Sequence, residues 1–405
     1  MSRTLVRLAG LALLLAAGTG CQERLTAPAE CPELCPGGES RVFELVLNPI
    51  PGSDSSFTGY VAANLAAALL VSNGLPVSED RAVYRFNARP DSIELRDTLR
   101  AYVVDSVRLA FNLLARDTLV DGLKLYLYRI DPAAVNDQAT FASITSLMVP
   151  TAIIDSIQVP DTLNADAVET MLQGPELERL GLPISAGGVL AIAVGVAAAQ
   201  PTGVRLGATA SGTGATFTSF VTLDVPDTGS TRRQTLTRAP AFNTYVTQTP
   251  LVPDPDFLTV GGAPSSRAIL RFDLPDPIED SATIVRATLE LLPREPMIGL
   301  PTDPPLLDAK AILADLGAKS PVTTDQRFIV SQALPVGSAD TVRIDVTPIV
   351  RLWQSAEERP EALFLTLRPE AASFTRPVFG STRSATTGPP RLRVTYLRPF
   401  PFENF

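Results

Sequence analysis

Two copies of one alternating phrase constrain the fold more than any other feature of the chain. Residues 267–293 read RAILRFDLPDPIEDSATIVRATLELLP. Ala268, Leu270, Phe272 and Leu274 alternate with polar residues before a Pro/Asp-rich turn, and Val285, Ala287, Leu289 and Leu291 alternate after it. Period-two alternation between turn clusters is the mark of half-buried antiparallel strands. The phrase stands earlier as RAVYRFNARPDSI (81–93) followed by DSVRLAFNLL (105–114). One β unit is therefore written twice, which predicts an all-β chain.

Later segments keep the same order. LNADAVETMLQG is answered by IDVTPIVRLWQS, GVLAIAVGV by ALFLTLRPE, and GVRLGAT by RPVFGST. The spacing between partners shortens steadily along the chain, as small loop deletions would produce, and conserved order supports duplication. Expected strands include 41–47, 122–130, 188–199, 203–209 and 216–225. In GLKLYLYRI (122–130) Leu123, Leu125 and Leu127 point inward, with Lys124, Tyr126 and Tyr128 opposite. A helix is expected at 164–180, where Ala167, Val168, Met171 and Leu172 share a helical face. A second is expected to start at Thr347-Pro348, with Thr as cap and Pro in the first turn. The 405 residues suffice for two domains with their own cores. The expected division is 1–20 signal peptide, 21–40 tether, 41–225 first domain, 226–240 linker, 241–399 second domain and 400–405 tail.

The start of the chain carries an address. Arg3 and Arg7 precede a short apolar run ending at Ala17, too short to span a bilayer. Gly18-Thr19-Gly20-Cys21 resembles a bacterial lipobox, with Gly18 departing from the usual Leu or Val. The resemblance implies cleavage before Cys21 and lipid attachment there; the rival is a plain secretory signal. Gln22 in place of an inner-membrane Asp points to the outer membrane. Residues 22–40 are too rich in Pro, Glu, Ala and Gly to bury a core. Cys31 and Cys35 in that tether are expected to form a local disulfide outside the cytoplasm. The rival is a metal site, but zinc takes four ligands and the chain has no His.

From residue 241 to 397 the chain resembles the DNRLRE-type domain of bacterial extracellular proteins. The resemblance rests on ILRFDLP, VRATLELL, VRIDVTPIVRLW, ALFLTLRPE, RPVFGSTRS and PPRLRVTYL. The hexapeptide that names the family is missing, with VRATLE standing at a strand position. Residues 41–225 match through their internal echo of the second half. The resemblance implies tandem jelly-roll β-sandwiches at the cell surface, related to disaggregatase proteins and carbohydrate-binding modules. It carries over no ligand.

Composition and motifs restrict the chemistry. A net charge of −9 argues against binding nucleic-acid phosphates. The apolar stretches 61–71 and 188–199 fall short of the roughly 18 residues a spanning helix needs. Pro399 and Pro401 break the final segment, against a barrel strand despite the terminal Phe405. Without His, His-based triads and metal centres are excluded. Lys319-Ser320 reads as a polar surface loop. Asp273, Glu279, Asp280 and Glu290 are weak candidates for a carboxylate pair; Asp273 and its counterpart Asn87 read better as turn residues. Asp131, Asn136 and Asp137 offer oxygens for calcium, yet lack a full loop signature. The sharpest ligand candidate is an aromatic platform of Tyr126 and Tyr128 beside Lys124, suited to stacking on sugars. Its echoes, Ile312 and Ala314, are not aromatic. Trp353 reads as core, and Arg85 and Arg271 as recurrent structural arginines. The expectation is a non-enzymatic lipid-anchored envelope protein that binds polysaccharide, or alternatively a structural or protein-binding component. No cofactor is expected apart from the calcium candidate.

Overall fold

Alternation in the sequence becomes two stacks of antiparallel sheets in a computed structural model. It describes residues 42–398 apart from 60, 76–78, 226–229, 249–253, 280, 316, 318–322 and 356–358. Cys21, Cys31, Cys35, the signal peptide, the tether and the tail lie outside the described residues. In the first stack, one sheet runs in the order Pro240–Thr247, Asp80–Phe86, Ala191–Ala197, Lys124–Arg129, Ile153–Gln158. The sheet facing it runs Ser230–Arg238, Thr216–Val225, Tyr102–Arg116, Asp166–Gln173. Thr202–Gly207 and Ala68–Asn73 extend this second sheet from Tyr102–Arg116.

Burial explains the pairing of faces. Leu123, Leu125 and Leu127 are fully buried between the sheets, as their alternation requires. They meet Leu109, Phe111 and Leu113 from the opposite sheet in one apolar core. Tyr84, Phe86, Phe111 and Phe217 knit that core with ring centroids 5.6–6.3 Å apart. Along Tyr102–Arg116 the inward phase changes from Tyr102 and Val104 to Val107, Leu109, Phe111 and Leu113. A register shift opposite Phe220 and Val221 absorbs the extra residue, as a β-bulge does. Ala191–Ala197 is buried on both faces, which accounts for its unbroken apolar run.

The second stack repeats this order strand for strand. Its larger sheet runs Ser55–Thr58, Ser266–Arg271, Ala362–Arg368, Leu306–Ala314, Thr323–Ala333. The facing sheet runs Val42–Leu47, Arg391–Leu397, Thr283–Leu291, Val342–Asp345. Phe257–Thr259 and Val378–Gly380 form the counterpart of Ala68–Asn73 and Thr202–Gly207. A second core, from Leu258 to Val394, lies between these sheets and holds Trp353.

The strand pairings correct several expectations. Val42–Leu47, read as the opening strand of the first domain, pairs with the last strand, Arg391–Leu397. Residues 226–240, read as a linker, contain the strand Ser230–Arg238. Pro240–Thr247, read as the start of the second domain, pairs with Asp80–Phe86 of the first stack. The helix expected at 164–180 is a strand, Asp166–Gln173, followed by a 3-10 turn, Gly174–Leu180. Val168 and Leu172 are buried, and a spacing of four suits both helix and strand periods. Met171, which shares their face only in a helix, is exposed. The first stack's short helix is instead Phe141–Thr145, capped by the Thr140 hydroxyl accepting from Ser143 N–H. Thr347–Gln354 is helical as expected, but Thr347 does not cap it. Its hydroxyl oxygen accepts from Ala287 N–H at 2.8 Å, tying the helix to the sheet.

The stacks meet through packed side chains. Ala263, Leu300, Ala371 and Phe374 of the second stack enter the first stack's core. The Tyr245 hydroxyl donates to the Ala371 carbonyl at 2.8 Å, and Arg205 pairs with Asp303 at 2.6 Å. Gly203 is needed there: a Cβ would sit 2.9 Å from the Phe374 ring.

Candidate functional site

Tyr126 and Tyr128 project from the outer face of the first stack because their neighbours Leu125 and Leu127 point inward. Their ring centroids lie 6.4 Å apart with planes tilted by 42°. Lys124 is exposed at the start of the strand, and both tyrosines are half-buried. Tyr126 faces Gly195 on one neighbouring strand and Ser156 on the other, while Lys124 faces Ala197 and Gln158. The space over Gly195 on the Ala191–Ala197 strand is taken by Met148 and the Tyr128 ring, 3.1 and 3.6 Å from where a Cβ would stand.

Tyr128 is more enclosed than Tyr126. It borders a satellite core built on Val83, Ile130, Val135, Ile144, Ala193 and Val246, which the segment around Phe141–Thr145 covers. Burial first, then the neighbouring Tyr126, push the Tyr128 phenol up from its usual pKa. It therefore stays a hydrogen-bond donor at neutral pH. Lys124, Tyr126 and Tyr128 share the outer face of their strand, and the contact among them is between the two rings.

A larger concavity, about 750 Å³, lies on the second stack along Ser55–Thr58. Phe57, Phe257, Asp54, Asp254, Arg271 and Arg383 line it. Its charged walls are paired: Asp54 with Arg383 at 3.2 Å, Arg271 with Asp315 at 2.5 Å, and Asp254 with Arg294 at 3.3 Å. The Arg294 guanidinium also lies 4.0 Å over the Phe257 ring. These pairs fix the orientation of the charged side chains along the groove. No sequence signal marked this groove, because it is assembled from segments more than 300 residues apart, such as Asp54 and Arg383.

Other candidates have local duties. The Asp131 carboxylate accepts from Ala133 N–H at 2.9 Å, and Asn136 bonds Ala133 O and Gln138 N–H at 2.8 Å each. These are Asx turns. Among the described residues there is no group of three or more His, Cys, Asp or Glu placed to hold a metal ion. Glu290 pairs with Arg343 at 3.3 Å and Arg393 at 3.6 Å. With Glu44, which also pairs with Arg393, they form an alternating charge ladder across all four strands of that sheet. Asp273 and Glu279 lie near Glu361, whose carboxyl is pushed up by burial first and then by their charges. Asp280 and Lys319-Ser320 lie outside the described residues. Asn87 holds the Ala239 carbonyl with its N–H and side-chain amide at 3.0 Å each, a strand-end role. Trp353 is buried 6.2 Å from Phe272. Arg85 lies over Phe242 at 5.7 Å and Arg271 is ion-paired, so their recurrence is structural.

No helix among the described residues is long and apolar enough to cross a membrane. No protein-family model matches the chain, and no curated protein matches it significantly.

Proposed function

We propose that the chain is a non-catalytic, lipid-anchored envelope protein that holds polysaccharide on the outer face of its first β-sandwich. The observation that carries this reading is the Tyr126–Tyr128 pair beside exposed Lys124. Two rings on one strand face offer stacking surface to successive sugar rings, and their hydroxyls can donate to sugar hydroxyls. The resemblance of residues 241–397 to DNRLRE-type domains supports a cell-surface location and carries over no ligand. The lipobox-like segment ending at Cys21 supports anchoring in the outer membrane, with Cys31 and Cys35 closing a loop in the tether.

The double variant Tyr126→Ala, Tyr128→Ala tests the platform. Both side chains are half-buried on the outer face, and a circular dichroism spectrum checks that the double variant is folded. Retention on insoluble polysaccharide is expected to fall at least tenfold. Undiminished retention by a folded double variant would sink the proposal. A second reading, a structural envelope component, is favoured by the way the two sandwiches complete each other's edges.

A further inference from the structure

The strand correspondence between the stacks has one feature that simple tandem duplication does not give. Ser230–Arg238 and Pro240–Thr247 are each an edge strand of one of the two sheets of the first stack. Val42–Leu47 and Ser55–Thr58 occupy the matching outermost positions of the second. In sequence, each pair leads a half: 42–58 precedes the first body of strands, and 230–247 precedes the second. Each leading pair is therefore built into the other half. The connections that cross between stacks, residues 59–67 and 248–256, are equal in length.

The central pair is fixed at both ends by chain. The N-terminal pair reaches its own body only through residues 59–67, and its structural contacts are with the second stack. Phe43 stacks on Tyr396 with centroids 5.7 Å apart, and Leu45 and Leu47 close the second core. Ile50 N–H donates to the Arg271 carbonyl at 2.8 Å, and the Ser53 carbonyl accepts from Arg271 at 2.6 Å. Asp54, fully buried, accepts from Thr382 N–H at 2.8 Å and from Arg383. Nothing in these contacts depends on which copy of the chain supplies the strands.

We infer that the edge of the second stack that holds residues 42–58 is a docking site for the same segment of a second copy of this chain, giving a reciprocal strand-exchanged dimer. Exchange preserves every pairing and opens only the 59–67 connection. A short connection holds its segment at an effective concentration of about a millimolar. At micromolar protein the closed monomer is thus favoured by roughly a thousandfold, and crowding on a surface narrows the gap. Reciprocal exchange closes on itself, so it ends at a dimer and does not run on into a filament.

The test uses the full chain with a specific protease site set within residues 59–67. After cleavage in the folded state, a fluorescent peptide of residues 41–59 is expected to replace the bound segment, one per chain. The uncut chain is expected to take up at least tenfold less, and a peptide carrying Asp54→Ala to bind at least tenfold more weakly. If cleavage unfolds the second stack, the emission of Trp353, the sole tryptophan, shifts red, and added peptide is expected to restore it. Absence of uptake with native emission, equal uptake by cut and uncut chain, or failure to restore emission each overturns the site. For the second copy, light and isotopically heavy uncut chains are mixed at the denaturant midpoint and returned to buffer. With both chains at about 1 mM, matching the effective concentration of the connection, a dimer containing one light and one heavy chain is expected, and recovery of monomers alone at that concentration overturns the exchange.

Discussion

Replacing Asp54 with Ala should destabilise the second sandwich although residue 54 stands near the start of the chain. The carboxylate is fully buried and accepts from Thr382 N–H at 2.8 Å, from the Thr382 hydroxyl, and from Arg383 at 3.2 Å. Removing one member of a buried ion pair costs about 3–5 kcal/mol when the partner is left without solvent. Arg383 remains a third exposed and keeps its bond to the Pro255 carbonyl at 2.8 Å, so water relieves part of that cost. The Thr382 N–H loses a buried acceptor, worth about 1–3 kcal/mol. The expected loss is about 3 kcal/mol. Trp353 is 3% exposed in the second core and reports on that stack. With a urea slope on the order of 2–3 kcal/mol per molar, its unfolding midpoint should fall by about 1 M. An unchanged Trp353 midpoint, with Asp54→Ala confirmed by mass, would refute the claim that residues 42–58 hold the second stack together.

Gly207→Ala should be among the most damaging small changes in the first stack. The added Cβ would sit 2.0 Å from the Thr213 carbonyl oxygen, so backbone must move; a loss above about 3 kcal/mol, read as a lowered melting temperature or insoluble expression, is expected. Glu361→Gln should act in the opposite direction at neutral pH. Burial raises the Glu361 pKa above its ordinary 4.5, so the folded state holds this proton more tightly than the unfolded chain. The stability it contributes is complete below pH 4.5 and is lost as pH rises through the raised folded value. Gln keeps an acceptor for Leu274 N–H, at 2.5 Å from Glu361, and removes the charge. The variant should melt higher than the parent at pH 7 and equally at pH 4; a lower melting point at pH 7 would contradict this.

What the sequence disclosed, and what it withheld, follow from one property of strands. Side chains encode which face of a strand is buried, and that was readable: Leu123, Leu125 and Leu127 inward, Tyr126 and Tyr128 outward. Where faces leave the period undecided, as with Val168 and Leu172, a spacing of four satisfies the helical and the strand period alike, and the segment reads as a helix although it is a strand. The neighbour along each edge is chosen by backbone N–H and C=O groups, which every residue carries alike. Val42–Leu47 therefore reads as a good strand but not as the partner of Arg391–Leu397, and the polar face of Ser230–Arg238 reads as a linker. The platform residues were legible because a face sufficed to find them. The groove beside Phe57 was not, because an edge contact brings Asp54 to Arg383. The same degeneracy underlies strand exchange: an edge that cannot distinguish near from far in sequence cannot distinguish its own chain from a second copy. Specificity for the near strand then rests on the 59–67 connection. Lengthening that connection with a flexible insert should lower the effective concentration and narrow the margin by which the closed monomer is favoured over the exchanged dimer.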